Sequence, residues 1–252
     1  MIDVTFDFTT DSPGYWDDFW NRNGGMGAGG SDPDNSSPML REYHRLLWSK
    51  ELPNGEKMEL KSGSGSNYLV WNNIRFGSDS IIVSFRYKKY KYMIDQFVDR
   101  IPDYKTYYED FLRQSYTIGG SIIFPKHQSS MNQKRGTNPF ISDRWDLTLE
   151  CIRRYYNGEK SPLYEAILAD KAFYDLFIDF KGYVDFFFLQ DCVSEDYSKV
   201  IIWCGNADFS ECGLPETIDE YMGFINKEME FLRKRNQRIQ EYCVQFLQNS
   251  KE

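Results

Sequence analysis

Between Lys126 and Tyr156 the chain reads KHQSSMNQKRGTNPFISDRWDLTLECIRRYY, a polar loop that runs into a helix. The stretch holds six Lys/Arg (126, 134, 135, 144, 153 and 154) against three carboxylates (143, 146 and 150). Cations, amides and a glycine beside a helix start supply donors and a permissive backbone, which an anion or nucleotide site requires. Lys126, Arg135 and Arg144 are the candidates to hold the anion. Asn132 and Gln133 would orient the ligand, and Asp143 or Asp146 would meet a sugar hydroxyl. The competing reading is a long ordered loop whose side chains bond its own backbone.

Asp143, Asp146 and Glu150 fall at i, i+3 and i+7, close enough on a helix to hold a hard cation. The plainer expectation is that Asp143 or Ser142 caps the helix while Glu150 pairs with Arg154 at i+4, so no metal site is assigned. Only two histidines occur, His44 and His127. His127, in the polar loop, is the candidate acid–base residue. His44, mid-helix in REYHRLLW, reads as a surface or half-buried position. GGMGAGGSDPD (24–34) lacks the Lys of a phosphate loop and reads as a hinge or lid.

The elements that must position these residues follow from pattern. Residues 2–8 alternate apolar and polar, as a half-buried strand does. Ser36 or Ser37 before Pro38 starts a helix with Met39, Tyr43, Leu46 and Leu47 as its apolar stripe. Asn54-Gly55 signals a hairpin. Short strands are expected at 68–72 and 80–87, with 74–82 reading as strand–turn–strand about Gly77. Helices follow at about 89–99 and 103–116, then a strand at 122–124, the 143–156 helix, and a helical stretch from Ser161-Pro162 to about 180. The type of 184–189 and 200–204 stays open.

Ile218, Met222, Ile225, Met229, Leu232, Asn236, Ile239, Cys243 and Phe246 recur at spacings of four and three. They mark a long helix that packs on its own domain or pairs two copies as a coiled coil with a buried Asn. The basic run 233–238 beside Glu228, Glu230 and Glu241 reads as a solvated face. The expected fold is α+β: a small, antiparallel sheet, several helices and a long C-terminal helix. The chain reads as a single domain, 1–252, with residues 1–35 forming an acidic, aromatic- and Gly-rich arm.

The bulk numbers narrow the function. The 252 residues carry a net charge of -8, with 41% hydrophobic and 17% aromatic residues. Residues 1–34 contribute seven Asp and one Arg, a net of -6, which leaves the body near -2. Extended nucleic acid is disfavoured as a partner, because phosphate backbones call for many cations on one face. Five cysteines without a C-x-x-C pair point to a reducing cytoplasm. No apolar run is long enough for a membrane.

Three phrases, SDPDNSSPMLREYHRLLWSKELPNGE (31–56), MNQKRGTNPFISDRWDLTLECIRRYY (131–156) and FLRKRNQRI (231–239), resemble a family of bacterial proteins of unknown function. The resemblance implies a single cytosolic domain found in bacteria or their phages, and it carries no activity, cofactor or catalytic residue. Three functions remain expected. The first is a binding protein for a nucleotide or phosphorylated small molecule. The second is a nucleotide- or phosphodiester-processing enzyme, and the third a protein-interaction module in phage–host conflict.

Overall fold

Asn72 and Asn73 both take positive φ, 44° and 65°, and fold the chain sharply between two strands. Asn tolerates this left-handed geometry, and two such residues in succession make the hairpin turn whose twist matches its strands. The turn joins β2 (Leu69–Trp71) to β3 (Ile74–Ser80), with Trp71 opposite Ile74. With β1 (Lys61–Ser62) and β4 (Ser121–Pro125) they form an antiparallel sheet in the order β1-β2-β3-β4. In this computed structural model the described residues are 2–22, 31–63, 68–83, 85, 95–96, 98–210 and 213–249.

The expected turn at Gly77 does not occur, since β3 runs unbroken through it opposite Phe124. Ser80 ends β3, and Ile81–Val83 continue without strand pairing. The 24–30 glycines and most of the 89–99 helix lie outside the described residues. Residues 2–8 form turns rather than a strand, held where Phe8 N–H meets Tyr116 O at 2.9 Å. Their alternation arises because Ile2 and Phe8 fill the core from turns, so apolar spacing alone misread the backbone.

Helices cover both faces of the sheet. The first two are short, α1 (Tyr15–Asp17) and α2 (Pro33–Ser36). α3 (Pro38–Trp48) starts as expected, with Ser37 Oγ accepting the Leu40 N–H at 3.0 Å and Pro38 in its first turn. Its buried face is Leu40, Tyr43, His44, Leu47 and Trp48; Met39 and Leu46 are exposed. The helix is therefore rotated from the expected stripe, and His44 is fully buried. The reason is that the Trp48 ring, one turn from His44, sinks against Phe187 and carries that face into the core.

α4 (Tyr104–Ser115) and a 3-10 turn (Ile118–Gly120) lead into β4. The polar loop contains its own helix, α5 (Met131–Thr137), before α6 (Trp145–Tyr156). Along β3, side chains alternate between faces. Asp79 meets Arg135 of α5 on one face, where Phe124 also faces Trp145 of α6. On the other, Ser78 meets His44 of α3, and Phe76 packs near Phe173 of α8 (Lys171–Tyr174), which follows α7 (Tyr164–Ala169). Residues 184–189 prove partly helical, within α9 (Phe180–Phe186), while Val200 only bridges Val193.

The 32-residue α10 (Ile218–Asn249) closes the core with Phe224, Ile225, Leu232 and Ile239. Its basic run is not uniformly solvated, because Arg235 is fully buried and donates to the carbonyls of Gly119, Ser121 and Phe187. Glu228 is also fully buried and accepts the Val83 N–H at 2.8 Å. A helix facing the ends of several elements meets their unpaired backbone groups, which charged side chains can satisfy. The fold is α+β.

Candidate functional site

Carboxylates from three separate segments meet at the end of β3. Asp32 Oδ1 accepts the Asp34 N–H at 3.0 Å and so fixes the first turn of α2. α2 packs on β3, and the Asp34 carboxylate accepts the Ser78 hydroxyl. On the opposite face Arg135 Nη1 lies 3.0 Å from Asp79 and 3.1 Å from Asp143. Arg135 also donates to Ser80 O at 2.9 Å and to Asp143 O at 2.5 Å, and only 1% of it is exposed.

Asp79 and Asp143 thus flank the Arg135 guanidinium, while Asp32 and Asp34 lie across the strand from them. Burial, followed by the neighbouring Asp32, pushes the Asp34 carboxyl up to about 7. Burial raises Asp79 to about 7 as well, against the pull of Arg135 and with Asp143 and Asp34 adding to the rise. Asp32 rises to about 6 through burial, with Asp79 contributing. Asp34 and Asp79 thus hold protons close to neutral pH, and Asp79 keeps 25% of its side chain open to solvent. A carboxyl poised there can serve as a general acid or a general base.

A line of hydrogen bonds runs into the cluster from α3. Trp48 Nε1–H donates to His44 Nδ1 at 2.9 Å, so the ring proton is assigned to Nε2, which donates to Ser78 Oγ at 2.9 Å. The Ser78 hydroxyl is then free to donate to Asp34. Burial holds His44 down to about 3, so the imidazole is neutral, and its two hydrogen bonds fix its orientation.

The residues singled out from sequence fall into four places. Arg135 and Asp143 join the carboxylate cluster. Arg144 and Asp146 form a separate pair, both fully buried, joined at 3.0 and 2.5 Å. Arg144 also donates to the carbonyls of Gly213 and Cys204, and Asp146 accepts the Trp203 N–H at 2.7 Å. That pair ties the start of α6 to the 203–213 segment.

Asn132 accepts from the Ser130 hydroxyl at 2.5 Å, and Gln133 is exposed on α5. His127 Nε2 stands 2.7 Å from Asp170, while its Nδ1 accepts the Ser129 N–H at 3.2 Å. Lys126 extends beside Gly77, where a side chain would crowd it, and its Nζ lies 5.8 Å from the Tyr68 ring. Arg75 faces the same ring at 5.1 Å.

The expected cap on α6 is absent: Asp143 and Ser142 adopt positive φ and neither side chain caps the helix. Asp143 is drawn to Arg135, and the stronger charge-assisted contact wins over the cap. Glu150 pairs with Arg153 and Arg154 at 2.7 and 2.9 Å, so the 143/146/150 carboxylates are divided among different arginines. Among the described residues no His/Cys/Asp/Glu group is arranged to hold a metal. Also among them, no helix is long and apolar enough to cross a membrane.

Sequence reasoning missed Asp32, Asp34, His44, Ser78 and Asp79. The signal was SDPD and GSDS, polar clusters that also serve as helix starts and turns. The profile of a family of unknown function, DUF6994, spans residues 2–239 of this chain.

The chain belongs to that family.

No curated protein and no solved structure matches it. The family has no assigned function, so the chemistry rests on the residues themselves.

Proposed function

We propose that the protein is an enzyme that processes a nucleotide or a related phosphorylated small molecule along β3. The observation that carries this reading is Asp79, held 3.0 Å from Arg135 on the same face of β3 as Arg75, with a carboxyl that burial raises to about 7. Asp79 would transfer protons to and from the substrate, with Arg135 holding it in place and Asp34 on the far face adding to its proton affinity. Arg75 and Lys126 flank Tyr68 four or more residues back along the same region, and they supply charge for a phosphate and a ring face for a base.

Residues 75, 77 and 79 share one face of β3, and four residues of strand span roughly 13 Å, a distance suited to a nucleotide. Arg135 and Arg144 point against a purely anion-holding role for the polar loop, because both are buried and bonded within the protein.

A panel of nucleotides, nucleosides and sugar phosphates, screened by thermal shift and by chromatography of products, tests the reading. Turnover in wild type, lost in Asp79→Asn while the protein stays folded and keeps ligand binding, supports it. Weaker binding with retained turnover at saturation is expected for Arg75→Ala. Absence of both binding and turnover across the panel overturns the reading.

A further inference from the structure

Just past the end of α3, Lys50 points its Nζ into a nest of rings. The Phe188, Phe186, Tyr242 and Trp48 centroids lie 3.9, 4.5, 5.0 and 5.3 Å away, and Nζ donates to Phe186 O at 2.6 Å. Among the described residues no carboxylate pairs with it, whereas Lys171 and Lys234 each bond one. Lys50, Phe186, Phe188 and Tyr242 also line a groove of about 640 Å³, a volume suited to a small ligand.

A cation–π clamp would explain the rings alone. It does not explain why the amine stands on the wall of an open groove with no carboxylate bonded to it among the described residues. We propose that Lys50 is a reactive amine that condenses with a carbonyl compound carrying an apolar or aromatic body in this groove. The neutral amine attacks the carbonyl carbon, a carbinolamine forms, and loss of water leaves a C=N bond to Nζ. The carbonyl oxygen departs with the two amine protons, so no oxidant or reductant is consumed.

Burial and a nearby cation favour the neutral amine, against the ring faces, which attract the ammonium form. Burial, followed by the charge of Arg235 on α10, lowers Lys50 to about 7, against a smaller opposing effect of Cys243. Glu51, Asp179, Lys181 and Asp185 are the charged groups lining the groove, and Lys181 and Asp185 are paired with each other. At pH 7 about half of such an amine is neutral, roughly a thousand times the fraction at an ordinary lysine. Its lower basicity offsets part of that gain.

The test treats the full chain with benzaldehyde and cyanoborohydride at pH 7, followed by peptide mapping by mass spectrometry. The reductant fixes any imine as a benzylamine. At least ten-fold faster labelling of Lys50 than of exposed Lys171 and Lys234 is expected, with the excess shrinking above pH 9 as the other lysines lose their protons. The Lys50→Arg variant serves as the mapping control. Labelling of Lys50 at or below the rate of those surface lysines in the folded wild type overturns the proposal. The outcome is independent of the carboxylate cluster.

Discussion

Asn236 Oδ1 accepts the Gly119 N–H at 2.8 Å, and its Nδ2 donates to Thr117 Oγ1 at 2.8 Å, so one side chain of α10 satisfies the turn that launches β4. A Cβ at position 119 would lie 2.4 Å from that oxygen, so an alanine there would displace the Asn236 amide. The polar residue in the middle of an apolar seam therefore has an intramolecular partner. Asn236→Leu should leave the turn's N–H unpaired and cost about 1–3 kcal/mol. Urea unfolding of wild type and mutant measures this; an unchanged midpoint would show that the contact adds nothing to stability.

Arg144 and Asp146 lie fully buried, bonded to each other and to the backbone of Trp203, Cys204 and Gly213. Removing one partner leaves the other charge stranded, and Arg144→Met should cost about 3–5 kcal/mol. The double variant Arg144→Met/Asp146→Leu should cost less than the sum of the two single changes. A double-mutant cycle in denaturant checks it, and additive losses would contradict the pairing.

The carboxylate cluster sets a pH dependence. Asp34 and Asp79 rise from the usual 3.8 to about 7 on folding, so the folded state binds their protons more tightly. The stability this gives is present below pH 4 and disappears as pH rises through about 7. Asp34→Asn removes the cost of the charge and keeps an acceptor for Ser78, so it should raise the melting temperature at pH 8 and change little at pH 4. A mutant less stable than wild type at pH 8 would refute the assignment.

His44 acts in the opposite direction. Its folded value is held near 3, below the 6.5 of an exposed imidazole, so the unfolded chain takes up its proton first as pH falls. The stabilising effect of a neutral His44 is complete above pH 6.5 and erodes toward pH 3. Nitrogen NMR of the ring should show a neutral Nε2–H tautomer at pH 5. An imidazolium signal at that pH would contradict the neutral ring assigned between Trp48 and Ser78.

Several features were legible in the sequence because they depend on neighbours along the chain. Ser37 before Pro38 starts α3, Asn54-Gly55 turns with Gly55 at φ 83°, and Glu150 meets Arg154 one helical turn away. The α+β class, the antiparallel sheet and the long C-terminal helix followed from the same local periodicity. Local chemistry also marked Arg135 and Asp143 as site candidates, in separate roles, and did not show that they pair.

Tertiary packing decided the rest. Asp34 and Asp79 stand far apart in sequence and approach only because α2 packs on β3. No spacing pattern records that contact. His44 is buried rather than exposed because Trp48, on the same helix, goes into an aromatic core contributed by residues 173–188. Arg235 and Glu228 looked like surface charges until the backbone groups they bond came from β4, α9 and the segment after β3. A side chain's type fixes which bonds it can make; the environment that makes burial affordable is assembled from distant segments, and that assembly placed the cluster at the end of β3.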